Sequence, residues 1–304
     1  MTLRQSLLTV ALAAVWGSSY LLIKYALEGF RPEVIVFLRA AGAAAALAVV
    51  VRFQGPANRA AVRRAFRRPG IALLLGLLAI AAPFTLISFG ELHVPSGLTA
   101  VLIAPVPLFV AAFAPFLDRE EIISPRQAAG LVVGLAGVGL LVGVETIDSL
   151  PQFLGAIGVL GACASYALSG FVVKRRFRDA PSISTSLVSV SAAAALTVVP
   201  AALTFGGAGT PGLRAILSVL ALGVIHTALA FVLFYKLLAE LGPGRGSLVA
   251  YLAPAVALAY GAVLLDEAVT PPAVAGLVLI LAGVLLASRR APEPVAATAS
   301  APSE

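Results

Sequence analysis

The sequence predicts an all-α membrane protein of ten transmembrane helices, arranged as two inverted-topology repeats of five. Three observations predict it: a composition too apolar for water, ten apolar runs of bilayer length, and an internal repeat with an odd number of runs in each copy. Of the 304 residues, 60% are hydrophobic and only 12% charged, and the mean hydropathy is +1.03. Soluble domains carry roughly a quarter charged residues. A water-soluble globule of this size has too little polar residue here to cover its surface. That excludes a soluble enzyme, a disordered protein and a disulfide scaffold. The single cysteine, Cys163, has no second thiol to bridge. The net charge of +7 points to no nucleic-acid partner, because the basic residues cluster in short loops without interleaved aromatics.

Apolar runs of about 17 to 25 residues, the length that crosses a bilayer core, fall at 5–27, 34–51, 71–90, 94–117, 127–144, 152–173, 182–204, 213–236, 246–265 and 272–288. The first follows Arg4 but is too long for a signal peptide and lacks a small-residue cleavage site. With the N terminus in the cytoplasm, the inner segments hold 17 of the 21 basic residues, including Arg63 to Arg68 and Lys174 to Arg178. The outer loops hold Lys24, Arg31 and Arg214, and Arg39 lies within the second span. That asymmetry places both termini in the cytoplasm and the chain across a membrane several times. The tail, 291–304, is rich in Pro, Ala, Ser and Thr and is expected to be a disordered cytoplasmic segment.

The run from Ala129 to Leu140 matches that from Ala275 to Leu286 at nine of twelve positions. Further anchors keep the same order: Trp16 and Lys24 with Tyr166 and Lys174, Gly76 and Phe84 with Gly223 and Phe231, Gly97 and Pro105 with Gly246 and Pro254, Pro125 with Pro271. Residues 1–147 therefore form one five-helix repeat and 148–290 a second. Five is odd, so the second copy enters the membrane upside down, an architecture of secondary transporters.

These residues carry a family resemblance. Trp16-Gly-Ser-Ser-Tyr20 followed by Lys24, Phe37-Leu-Arg39, the prolines Pro105 and Pro254, and acidic residues after each of those spans (Asp118, Glu120 and Glu121; Asp266 and Glu267) resemble the EamA-type, ten-helix branch of the drug/metabolite transporter superfamily. The resemblance covers residues 5 to about 290, and the YddG-like amino-acid exporters are nearest in character. It implies a permease of the inner membrane, often an exporter of amino acids or related metabolites. It also implies a cavity among spans 1, 3, 4, 6, 8 and 9, with spans 5 and 10 outside.

Candidate ligand-binding residues are Trp16, Ser19, Tyr20, Thr99, Tyr166, His226 and Tyr251. His226 sits in mid-span, where an ionisable group is costly and marks a functional position unless its ring merely bonds a helix neighbour; an imidazole there can also carry a coupling proton. Phe231, Phe234 and Tyr235 follow on the same span. Trp16 and Tyr166, equivalent under the repeat, serve either as opposing cavity walls or as core. The hydroxyls of Ser19, Tyr20 and Ser169 serve either a ligand or helix packing. Pro105 and Pro254 free backbone carbonyls and bend their helices, which makes them candidate gates; a static kink is the alternative. Arg39 is read chiefly as structural, snorkelling outward or pairing with Glu33, with recognition of a substrate carboxylate as the alternative. The GxxxG patterns at Gly130 to Gly134 and Gly139 to Gly143 suit close helix contact, within the chain or in a homodimer.

The sequence has no GxxxxGK[ST], HExxH or GxSxG motif and no Cys/His cluster, so no metal site and no cofactor is expected. Its only histidines, His93 and His226, lack paired acids, which argues against an intramembrane enzyme. No Asp or Glu sits near the middle of a span, so proton coupling falls to His226 or to end groups such as Glu91 and Glu267. The expected partners are a small-molecule substrate and the lipid bilayer.

Overall fold

The computed structural model describes residues 2–117, 124–145, 149–206, 210–241 and 248–288. Among them every regular element is a helix. These are α1 (Leu3–Leu27), α2 (Pro32–Phe53), α3 (Pro56–Phe66), α4 (Pro69–Gly90), α5 (Ser96–Ile103), α6 (Val106–Leu117), α7 (Pro125–Glu145), α8 (Leu150–Arg176), α9 (Ser182–Thr204), α10 (213–241), α11 (Leu248–Leu264) and α12 (Pro271–Ser288). Among the described residues eight segments are long and apolar enough to cross a membrane: α1, α2, α4, α5 with α6, α7, α8, α9 and most of α10. Leu252–Leu264 and Pro271–Ala287, in the ninth and tenth expected spans, are shorter apolar helices. The acids Asp118, Glu120 and Glu121, the turn 242–247 and the tail 291–304 lie outside the described residues.

Proline at the first helical position opens α2, α3, α4, α7 and α12, where its missing N–H costs nothing and its fixed φ suits the helix. A capping box opens α1: Thr2 Oγ1 accepts from Gln5 N at 3.3 Å and Gln5 Oε1 accepts from Thr2 N at 2.9 Å. Large apolar side chains face outward along the bundle, among them Val132, Leu135, Val199, Leu217, Leu220 and Val278. Water would not tolerate that much open apolar surface, whereas lipid does.

Packing joins the first part of the chain to the second. α2 lies along α9, α7 along α12, and α5 against α11. α1 packs on α10 and α11, while α4 and α6 pack on α8. Glycines set the closest approaches. A Cβ on Gly283 of α12 would stand against the Gly134 amide and 2.6 Å from Gly130 O, and one on Gly137 would stand 2.8 Å from Gly276 O. The first GxxxG pattern is thus used inside the chain, while Gly139 and Gly143 face open space.

Two helices contain π turns, each beginning just after a glycine from the repeat anchors. In α4 the turn is Leu77–Ala81, after Gly76; in α10 it is Val224–Leu229, after Gly223. A Cβ on Gly76 would lie 2.6 Å from Ala192 of α9, and one on Gly223 would lie 3.1 Å from the Arg39 carbonyl of α2. The fourth span is broken where Ala104 and Pro105 separate α5 from α6. Pro105 and Pro107 have no N–H to give to the carbonyls of Val101 and Ile103. Ala104 N bonds to Val101 O at 3.1 Å instead, and the Cys163 thiol of α8 donates to Leu102 O at 3.2 Å. Pro254, by contrast, sits inside an uninterrupted α11.

Candidate functional site

A cavity of about 450 Å³ lies between these helices, within the range of small-molecule sites. Its lining comes from α1 (Trp16, Ser19, Tyr20, Ile23), α2 (Arg39), α4 (Ala79, Phe84, Ile87), the α5–α6 break (Ala100 to Pro107), α8 (Tyr166), α10 (His226, Thr227, Phe231, Phe234) and α11 (Ala253, Pro254). Six of the sequence-derived residues meet here: Trp16, Ser19, Tyr20, Tyr166, His226 and Pro254. Pro105 is not in the lining, although its neighbours Ala104 and Val106 are. Thr99 is fully buried behind the wall, with Oγ1 donating to Pro95 O at 3.0 Å. Tyr251 belongs to α11, and its side chain lies outside the described residues.

One face of the cavity is aromatic. Trp16 sits 4.9 Å from the Phe234 ring and edge-on to Phe231 at 6.4 Å. Among the described residues no acceptor bonds the Trp16 indole N–H or the Tyr20 and Tyr166 hydroxyls, so all three donors remain available to a ligand. Ser19 Oγ is buried without a partner.

A polar part of the lining is built by the π turn of α10. The extra residue per turn redirects side chains to carbonyls five residues back. His226 Nδ1 lies 3.0 Å from Ala221 O, so that nitrogen carries the proton, and Nε2 lies 3.0 Å from Ser18 Oγ of α1. The Ser18 hydroxyl is also 2.9 Å from Val15 O. Thr227 Oγ1 donates to Leu222 O at 2.8 Å and accepts from Arg39 Nε at 3.0 Å.

Arg39 corrects the expectation for span 2. Its side chain neither snorkels nor pairs with Glu33. It is 8% exposed and turns inward, with its guanidinium carbon 3.8 Å above the centre of the Phe84 ring. Among the described residues no acidic side chain bonds it. Thr227 holds one edge of the fork and Phe84 one face, leaving the terminal N–H groups for the cavity. A planar fork fixed in this way suits a carboxylate. The sequence offered a signal for it, a lone arginine in an apolar span, but not the direction in which it points.

Beyond the cavity lining, the turn after α11 is tied to the start of α5. Asp266, at φ 53°, ends α11 in the left-handed region, which Asp tolerates, and Glu267 N bonds back to Gly261 O at 3.0 Å. The turn aims the Glu267 carboxylate at the start of α5, where it accepts from Ser96 N (2.7 Å), Ser96 Oγ (3.0 Å) and Gly97 N (2.9 Å). An anion is favoured at a helix N terminus. Beside it Lys24 Nζ donates to the Glu91 carbonyl at 2.5 Å. Ile23, next to Lys24, and Ile87, one turn before Glu91, line the cavity wall. No metal-ligand cluster occurs among the described residues.

A bundle of apolar helices around an amphipathic cavity defines a multi-pass membrane protein that handles small molecules. The model of the EamA-like transporter family matches the chain twice, over residues 4–143 and 153–289. A probable terminal-alkyne amino-acid exporter of Streptantibioticus cattleyicolor is 30% identical, over 92% of both chains. A probable amino-acid metabolite efflux pump of Salmonella typhimurium is 27% identical, over 94% of this chain and 95% of its own. The uncharacterized transporter YoaV of Bacillus subtilis is 24% identical, over 91% and 94%. A protein crystal structure with 20% identity shares the fold at a TM-score of 0.64, covering 94% of this chain and 97% of its own. The chain belongs to the EamA-like transporter family. It is a membrane transporter of small metabolites and not an enzyme.

Proposed function

We propose that the protein exports amino acids, or small metabolites of that kind with a carboxylate and an apolar body, across a bacterial-type inner membrane. One observation carries the substrate class: the Arg39 fork, with no acidic side chain hydrogen-bonded to it among the described residues, in a cavity otherwise walled by Trp16, Tyr20, Phe84, Tyr166, Phe231 and Phe234. A carboxylate neutralises the fork, the aromatic rings take the side chain, and Ser19, Tyr20 and Tyr166 supply polar contacts. The names of the Streptantibioticus and Salmonella relatives agree with this class. Efflux of lipophilic cationic drugs is the weaker reading, since a buried positive charge in the wall repels them.

The transport cycle we infer is alternating access between two inverted five-helix repeats, 1–147 and 148–290, with both termini in the cytoplasm. The double family match, the paired glycines before the two π turns and the like-with-like packing of α2 on α9, α5 on α11 and α7 on α12 support it. Pro105, at the break between α5 and α6, is the hinge on one side, and Pro254 its counterpart. In the conformation described, the Glu267 tie closes the end that the charge bias places outside.

The test is counterflow of labelled leucine, phenylalanine and threonine in proteoliposomes, in wild type and Arg39→Gln. Saturable wild-type counterflow with KM raised at least tenfold in the variant is expected. Equal KM in both removes Arg39 from the site. Absence of counterflow from folded wild type removes amino acids as the substrate class.

A further inference from the structure

Glu91 follows α4, just beyond its membrane-spanning segment. It is 1% exposed, and both its carboxyl oxygens are buried without a hydrogen-bond partner. An ionised carboxylate so placed loses its hydration with nothing in return, and the negative end of α4 disfavours it further. Its neighbours are otherwise engaged. Lys24 gives its bond to the Glu91 main-chain carbonyl. The Glu267 carboxylate holds three donors at the start of α5.

We propose that Glu91 is a proton-binding site of the transport cycle, protonated while this end of the bundle is closed and giving its proton to water when the Glu267 tie releases and the end opens. On opening, water and the Lys24 ammonium reach the carboxylate and its proton leaves to that side; after closing, it takes a proton by way of the cavity from the opposite side, so one proton crosses per cycle. Nothing but a proton moves. The groups that face Glu91 are Lys24 and Tyr20 from α1, Arg39 from α2 and Glu267 from the turn after α11. The neighbouring elements α5 and the Leu150–Gly155 end of α8 bring no charged residue, and His93 is exposed. Burial pushes the Glu91 carboxyl well above the usual carboxylate range; Lys24 opposes this, Glu267 adds to it and Arg39 opposes it. A carboxyl raised in this way stays protonated at a pH where an exposed one has ionised.

This inference rests on the transport reading, and its test separates the two. Phenylalanine counterflow, with no pH gradient, is measured beside gradient-driven phenylalanine accumulation in wild type and Glu91→Gln, whose amide keeps the neutral shape. Wild type is expected to show both, and the variant to keep counterflow and lose the response to the gradient. A wild type that exchanges phenylalanine but ignores the gradient overturns the proton site and leaves transport standing, as does a variant that responds like wild type. If neither protein exchanges phenylalanine, or the variant alone fails to, infrared spectroscopy decides. A protonated-carboxyl band at neutral pH that Glu91→Gln removes upholds the site. Its absence from wild type overturns it.

Discussion

Arg39 and Thr227, 188 residues apart in sequence, are joined by a 3.0 Å hydrogen bond inside the cavity. Thr227 is itself fixed by a 2.8 Å bond to the Leu222 carbonyl, which the π turn brings within reach. The orientation of the guanidinium is therefore set from the other half of the chain. Thr227→Val keeps the volume and removes the anchor. A hydrogen bond to a charged group contributes about 1.5–3 kcal/mol, so KM should rise roughly tenfold or more with kcat little changed. Arg39→Lys keeps the charge but loses the fork and should raise KM likewise. Unaltered KM in both variants would show that the fork does not meet the substrate.

Trp16 is the only tryptophan in the chain and stands in the cavity wall, against Phe234. Its fluorescence should report occupancy: addition of a transported amino acid should change emission saturably, with a midpoint matching transport. A flat response would place the ligand away from Trp16.

The α7–α12 seam yields a paired test of packing. Gly283→Ala drives a methyl into the backbone of Gly134 and Gly130, and overpacking of this kind costs about 1–3 kcal/mol. Gly143→Ala meets only open space and should be neutral or slightly stabilising. Thermal denaturation in detergent should therefore separate the two variants clearly.

Glu267→Ala leaves three donors at the start of α5 without their acceptor. Loss of a charged cap costs about 1–3 kcal/mol. Gly261→Ala places a methyl against Glu267 Oε2 and should disturb the same tie. Because both act on one contact, the double variant should lose less stability than the two single losses added together. Full additivity in a double-mutant cycle would show that Gly261 does not act through Glu267.

Much of the architecture was legible because apolar length and charge bias are properties of whole segments. The same averaging hid α3. The run Arg59 to Arg68 reads as a basic inner loop, yet Pro56 opens a helix there, Val62 and Ala65 pack against the core, and the Asn58 side chain accepts from Ser184 of α9 at 3.1 Å. The π turns were invisible for another reason: a single extra residue in a turn leaves no trace in a uniformly apolar pattern. Ser18 and Thr227, which depend on that turn, were missed with it. Trp16, Tyr166 and His226 stood out because a ring or an imidazole in mid-span is unusual by itself. Thr99 looked equivalent by type, but a threonine in a helix can satisfy itself on the carbonyl four residues back, and it does so on Pro95.

The packing of α2 on α9, α1 on α11 and α7 on α12 also governs how the chain is made. When residues 1–147 have left the ribosome, the faces of α1, α2 and α7 that will meet α11, α9 and α12 lack those partners. At synthesis rates of about 5–20 residues per second, α9 is complete roughly 3–11 seconds later and α12 roughly 7–28 seconds later. During that interval the glycine face of α7 and the inward arginine of α2 must be sheltered by lipid or by the insertion machinery. Assembly is therefore a late event, completed only when α12 closes on α7.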